Sequence, residues 1–317
     1  MVQTATEHGQ AAKYGIVTDL SRLLRSRHWA QRLKLFSTQA ARSMLLGNIR
    51  SRFRGRGMEF EEVRRYQPGD DIRTIDWKVS ARVGSTYTKL FCEERERPCH
   101  IIVDQRGPLF FGSTRQFKSV LAAELASGLA WAALAGGDRV GGQVIGDTQE
   151  RDCRARRNKQ AVLRLIHDVH ELNQLLSEPA PARDKEVGPA TSLSNTLVEC
   201  KRITRPGTAI FIVSDFHDFD ETAAKALSDL GKHTDLTLIQ VADEVEESMP
   251  LHGRLAVSDG VQSSVIGVSN KLKQAYQSSL AERQAQLKAA ATQARALYTK
   301  ITTSDSARHS LNRIFGK

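Results

Sequence analysis

Two short apolar runs decide the architecture: HIIVD at 100–104 and TAIFIVSD at 208–215. Each sets apolar side chains at consecutive positions and stops at an aspartate. Such a strand has both faces buried, as in a parallel sheet covered by helices. Helices and strands are predicted in alternation around these runs. A helix is expected at Thr114–Ala135, a strand at Arg139–Ile145 and a helix at Asn158–Leu176. Beyond the loop SEPAPARDKEVGP (177–189), a helix at Leu193–Ile203 leads into the second run. A helix at Glu221–Leu230 and a strand at Asp235–Val241 follow. This rhythm predicts an α/β fold, a doubly wound and mostly parallel sheet. The last part departs from it. Arg254–Ser258 and Gln262–Val268 flank Asp259-Gly260 as a hairpin, followed by a helix at Asn270–Leu297, a strand near Tyr298–Thr302 and a helix at Ser306–Phe315.

The chain has 317 residues, of which 40% are hydrophobic and 26% charged, ordinary values for a globular protein with a core. Its length favours two domains, or one with an extension. The most apolar stretch, Val120–Ala135, carries Glu124. It falls short of the roughly 18 uninterrupted residues of a membrane span, so a buried helix is expected. The start, MVQTATEHGQ, lacks the basic-then-apolar layout of a secretory signal, and a cytoplasmic location is expected. Cys92, Cys99, Cys153 and Cys200 have no zinc spacing and read as free thiols. His167 and His170 lie one helical turn apart without a third ligand, which points to surface or packing roles. No GxxxxGK(S/T) loop is present for ATP hydrolysis. His217 with Asp215, Asp218 and Asp220 is the best catalytic grouping, but it lacks a nucleophile or a complete metal set. A non-enzymatic role is expected.

The net charge of +10 is uneven, with no acidic residue between Asp19 and Glu59. Residues 1–18 read as poorly ordered, and Leu20–Leu46 as two basic helices ended by Gly47. The basic segment 20–56 offers one function: binding nucleic acid or an anionic membrane, with peripheral membrane association. Few aromatics and no known reader fold argue against nucleic acid. Internal pairing of Arg50, Arg52, Arg54 and Arg56 with the acidic segment that follows is the other outcome.

That segment is MEFEEVRRYQPGDDIRTIDWKVSAR at 58–82, followed by an expected strand at Thr86–Phe91. Helical periodicity breaks at Gln67-Pro68-Gly69-Asp70, where proline and glycine suit a tight turn. Glu59, Arg64, Tyr66, Asp70, Asp71, Arg73, Asp76, Trp77 and Arg82 form either a recognition surface or an arginine–carboxylate lattice that holds the segment in place.

The words RGRGMEF (54–60), RRYQPGDDIRTIDW (64–77), SAR (80–82) and KLFCEERERP (89–98) resemble the bacterial family catalogued as domain of unknown function 58. The resemblance is dense from Gly47 to Asp104 and looser to the end. Members of that family resemble von Willebrand factor A domains and are commonly encoded beside MoxR-type AAA+ ATPases. The resemblance implies a division into a disordered 1–18, a basic and charged extension 19–97, and a von Willebrand A-like domain 98–317. It also implies an adaptor that docks with a MoxR-type AAA+ ATPase, its client or another von Willebrand A-like protein, and assists assembly or activation of a complex.

The von Willebrand A fold holds Mg²⁺ at the carboxyl edge of its sheet, on an Asp-x-Ser-x-Ser triplet, a threonine and a second aspartate. Carried onto this chain, the positions are Asp104, Arg106, Pro108, Thr191 and Asp215. Arg106 and Pro108 replace hydroxyl donors, and Mg²⁺ requires hard oxygen ligands. No cofactor is expected, Mg²⁺ entering only if this degenerate site still binds. Arg106 either takes the ion's place between Asp104 and Asp215 or points to solvent.

Overall fold

The computed structural model describes residues 15–36, 59–67, 70–92, 97–178, 191–247, 254–258, 263–267 and 269–316. Along the chain these form α1 (Leu20–Arg25), α2 (Arg27–Ala30), β1 (Glu59–Arg65), α3 (Trp77–Val83), β2 (Tyr87–Cys92) and β3 (Pro98–Asp104). There follow α4 (Lys118–Ala135), β4 (Arg139–Ile145), β5 (Glu150–Arg156), α5 (Lys159–Leu175), α6 (Leu193–Ile203) and β6 (Ala209–Ser214). The last are α7 (Glu221–Gly231), β7 (Asp235–Ala242), β8 (Arg254–Ser258), β9 (Ser263–Gly267), α8 (Asn270–Gln293), β10 (Leu297–Thr302) and α9 (Ala307–Phe315).

The chain divides into an α/β unit, Met1–Ile49 with Arg97–Lys317, and a smaller unit, Arg50–Glu96. The α/β unit is built on a sheet of order β10-β7-β6-β3-β4-β5. Its strands run parallel except β5, which pairs antiparallel with β4 at the edge. Alternate strand residues feed opposite layers, as the two-residue period dictates. Ile101, Val103, Phe211 and Val213 pack with α1, α2, α4, α5 and α9. Ile102, Ile210, Ile212 and Leu238 pack with α6, α7 and the end of α8. The expected doubly wound sheet is therefore present. From β3 the chain runs to β4 and β5 on one side and returns through α6 to β6 on the other. The carboxyl ends of β3 and β6 thus form the switch point where such sheets bind ligands.

Several expectations need correction. Strand β5 follows β4 as a charged hairpin partner, ERDCRAR, without the apolar run that marked the other strands. The helix expected from Thr114 starts at Lys118, and the one expected to reach Leu297 stops at Gln293. Arg295 there turns left-handed at φ 54°. The first basic helix is short and broken at Ser26, whose hydroxyl donates to the Leu23 carbonyl. The second lies largely outside the described residues, as do Gly47, Arg50–Arg56, Pro68-Gly69 and Asp259-Gly260.

The expected division 1–18, 19–97 and 98–317 differs from the observed one. Residues 15–36 belong to the α/β unit. Thr18 N–H donates to Asn173 Oδ1 at 2.7 Å, and Leu23, Ala30, Leu33 and Leu35 are buried in the core. Two of the basic side chains also serve packing. Arg22 pairs with Glu124, and the Arg27 guanidinium lies 5.6 Å from the Trp131 ring. Helix α4 is long and apolar enough to cross a membrane, yet 89% of it is buried inside the fold.

Candidate functional site

At the switch point, Asp104 ends β3 and Ser214 ends β6, with Asp215 next in the chain. Phe216 then adopts φ 57°, a costly conformation for a bulky residue. Its side chain is buried in the core cluster that includes Ile210, Ile212 and Leu227, and its N–H donates to Ser214 Oγ at 2.9 Å. This turn brings Asp215, His217 and Asp218 to the same edge.

Arg106 lies across the cluster. Its Nε and Nη2 donate to the two oxygens of Asp104 at 2.9 and 2.7 Å. Its Nη1 and Nη2 donate to Asp218 at 2.5 and 2.9 Å, and Nη1 also reaches the Thr191 carbonyl at 3.4 Å. The guanidinium is therefore buried between Asp104 and Asp218. The expectation that it would join Asp104 to Asp215 is half right. Asp218 is the second partner because the fork has one geometry, and the turn at Phe216 presents Asp218 to its free edge.

Asp215 has a cation of its own that the sequence reading missed. Lys118, buried at the start of α4, places Nζ 3.0 Å from Asp215 and 2.6 Å from Glu246. His217 Nδ1 lies 2.8 Å from Asp215. Burial raises the Asp215 carboxyl, but His217 and Lys118 outweigh it and bring the pKa down to about 2. Burial pushes the Asp104 carboxyl above the ordinary range, while Arg106 and the Ser214 hydroxyl pull the other way. Burial also opposes the charge on His217, but its Asp215 partner raises it.

The donors do not fit a divalent cation. Asp104, Asp215 and His217 offer ligand atoms within 4.8 Å of one another. Both Asp104 oxygens are engaged by Arg106, and Asp215 by Lys118 and His217. The Thr191 hydroxyl is engaged by the Gly146 carbonyl, to which it donates. Pro108 sits in a single 3-10 turn, Gly107–Leu109, and brings no side-chain oxygen. A guanidinium about 4 Å from a doubly charged ion costs roughly 8 kcal/mol at an effective dielectric of 20. Of the suggested catalytic grouping, Asp215, His217 and Asp218 do meet at this edge, whereas Asp220 caps α7 through the Ala223 N–H at 2.7 Å and accepts from the Ser194 hydroxyl.

His167 and His170 do not meet on a metal. His170 Nδ1 hydrogen-bonds the Thr18 hydroxyl at 2.7 Å. His167 stands with Asp168 and Glu171, carboxylates already paired with Arg151 and Arg164. Cys99, Cys153 and Cys200 are free and buried, and burial pushes the Cys200 thiol up to about 12.

In the smaller unit, the charged segment sorts into two classes. It opens as β1, which the sequence reading did not foresee, paired antiparallel with β2. Asp70 closes the expected turn: its N–H donates to the Gln67 carbonyl at 3.0 Å. Its carboxylate accepts from Gln67 N–H at 2.9 Å and Arg64 Nη2 at 2.7 Å, and these contacts lower its pKa. Tyr66 donates its hydroxyl to the Asp70 carbonyl at 3.3 Å. Asp71 accepts from Arg73 N–H, and Asp76 caps α3 through Lys78 and Val79 N–H, both at 3.1 Å. Gly84 ends α3 in the left-handed conformation, φ 72°. Arg64, Tyr66, Asp70, Asp71 and Asp76 thus build the local structure, as a lattice would.

Arg73, Trp77 and Arg82 do not. Trp77 is 68% exposed, Ile72 65% and Val83 53%. Arg73, Lys78 and Arg82 are exposed, and no side-chain contact joins them to another described residue. Among the described side chains of this unit, only Thr88 is buried. The Glu59 side chain lies outside the described residues.

A family model described as "Protein of unknown function DUF58" matches residues 62–286. An uncharacterized protein of Mycobacterium tuberculosis is 26% identical over 234 residues, 74% of this chain and 70% of the relative. Among solved structures, the conserved hypothetical protein BatB from Bacteroides thetaiotaomicron matches at TM-score 0.39 and 16% identity, over 69% of this chain and 96% of its own. A von Willebrand factor type A protein from Catenulispora acidiphila matches at TM-score 0.38 and 12% identity, over 72% and 44%.

Proposed function

This chain belongs to the family described as protein of unknown function DUF58, and from that membership we propose that it is a non-catalytic protein-interaction module. One observation carries the proposal: an indole left 68% exposed on a properly capped helix, in a segment where Arg73, Lys78 and Arg82 are also exposed and joined by no side-chain contact to another described residue. Tryptophan and arginine dominate the energetics of protein contacts. The saturated sheet edge supports the same reading. Its buried cations already neutralise the aspartates, so recognition is assigned to the surface of Arg73, Trp77 and Arg82.

The partner we propose is a MoxR-type AAA+ ATPase, its client or another von Willebrand A-like protein, with the chain assisting assembly or activation of a complex. The signature words at 54–98 support this choice. Three buried free thiols suit a reducing compartment, and the cytoplasm is the proposed location. The basic segment is the weaker alternative as a nucleic-acid or membrane binder, since Arg22 and Arg27 are engaged in packing.

Affinity purification from the native cell tests the proposal. Wild-type bait is expected to retain an AAA+ ATPase or one defined client, and Trp77→Ala or Arg73→Glu bait to lose it. Equal recovery with all three baits rejects the assignment.

A further inference from the structure

Across the sheet from the aspartate cluster, at the amino ends of β3, β4 and β6, lies a cavity of about 410 Å³. His100, Arg139, Asp152, Arg154, Ile203 and Arg205 line it. Three guanidiniums face one carboxylate, so the lining carries a net positive charge. Arg154 and Arg205 are exposed, and no side-chain contact ties either to another described residue.

Charge on an edge strand such as β5 has an ordinary purpose, because it discourages strand pairing with other chains. That purpose does not account for what lies beneath. A parallel strand covered on both faces is normally a continuous apolar run, yet His100 interrupts β3 and is 6% exposed. Its Nε2 lies 3.1 Å from Gln143 Oε1. An amide oxygen only accepts, so Nε2 carries the proton and Nδ1 keeps a lone pair. Burial disfavours a second proton on this ring, and it is a neutral acceptor in a cationic cleft. Pro98 and Ile203 add apolar wall. A volume between roughly 300 and 1,000 Å³ suits a small molecule, and a lining in which polar and cationic side chains outnumber apolar ones suits a charged one.

We propose that this cleft binds a small organic phosphate. The phosphate is held by Arg154 and Arg205, whose planar forks match its oxygens. The organic part lies against Pro98 and Ile203 and donates a hydrogen bond to His100. This site is independent of the docking surface at Trp77.

Titration calorimetry with AMP at low salt tests it on the full chain, with adenosine, inorganic phosphate and a phosphoserine peptide as parallel probes. AMP is expected to bind at least about tenfold more tightly than inorganic phosphate, and adenosine not to bind. Affinity is expected to fall at least about tenfold in Arg154→Ala/Arg205→Ala, and to weaken with added salt. Both arginines are exposed, so the variant retains the wild-type melting temperature as its folding control. Absence of AMP binding, binding undiminished in the double variant, or binding of the phosphopeptide in place of AMP each overturns the proposal.

Discussion

Lys118 opens α4 with its Nζ buried 3.0 Å from Asp215 Oδ2, while Arg106 spans Asp104 and Asp218 in the same cluster. Two cations of different shape thus divide the negative charge of the sheet edge. The lysine is a point charge whose proton burial disfavours and Asp215 and Glu246 restore. The arginine is a fork that two carboxylates can grip at once. A buried pair adds little net stability, but removing one member leaves a charge that nothing solvates.

Arg106→Ala is therefore expected to destabilise the α/β unit by about 3–5 kcal/mol. Arg106→Lys is also expected to be costly, because an ammonium cannot make two bidentate pairs. Urea unfolding of both variants checks this. A loss below about 0.5 kcal/mol, the usual range of a surface change, counts against the clamp.

The same arrangement predicts the response to Mg²⁺. Millimolar Mg²⁺ is expected to leave the melting temperature of the wild-type chain unchanged. Arg106→Ser/Pro108→Ser/Lys118→Ala removes both cations and restores two hydroxyl donors beside Asp104. Saturation at about 100 times Kd contributes about 2.7 kcal/mol, so this variant is expected to melt several degrees higher with Mg²⁺ than with EDTA. A wild-type chain that gains stability from Mg²⁺ contradicts the internal-cation account.

How much of this was legible in the sequence depends on range. The buried strands HIIVD and TAIFIVSD and the helices between them declare themselves through local patterning. Asp104 and Asp215 were readable as strand-end carboxylates for the same reason. Lys118 was not, since its target lies 97 residues away and a lysine at a helix start ordinarily points to solvent. Strand β5 escaped because an edge strand needs no apolar run. In β1, Phe60 and Val63 are three residues apart because the register against β2 shifts between Phe60 and Glu62, so the sequence EFEEVRR carries no two-residue alternation.

His217 gives a pH-dependent test. Its pKa is raised from 6.5, burial opposing and Asp215 favouring the charged ring. A folded pKa above the unfolded one contributes stability that is complete below about pH 6.5 and is lost as pH rises through the folded value. His217→Gln is therefore expected to cost more stability at about pH 5.5 than at about pH 9. NMR titration of the ring is expected to show the raised pKa in the wild type and its fall in Asp215→Asn. A ring that titrates at or below its ordinary value removes the basis of the prediction.

Trp77→Ala separates an interface from a structural residue. The exposed indole has little folded-state contact to lose, so unfolding free energy is expected to change by less than about 0.5 kcal/mol. Asp76→Ala, which removes the cap of α3, is expected to cost about 1 kcal/mol. If Trp77→Ala destabilises the smaller unit more than Asp76→Ala does, the indole is a packing residue there.

Gly128 tests where the α/β unit begins. A Cβ at this position in α4 falls 2.4 Å from a Trp29 ring carbon and 2.9 Å from Leu311 Cδ1, closer than side chains approach. Trp29 belongs to α2 and Leu311 to α9, so the glycine lets two flanking helices seat on α4. On an isolated helix, glycine to alanine stabilises by about 1 kcal/mol. Here Gly128→Ala is expected to overpack the contact and lose about 1–3 kcal/mol instead. Hydrogen exchange is expected to rise at residues 20–30 before it rises in β3 or β6, because Trp29 seats α2, and α1 next to it in the chain, on α4 at this contact. A stabilised variant with unchanged exchange means that these helices do not close on α4, and that the basic segment stands apart from the sheet.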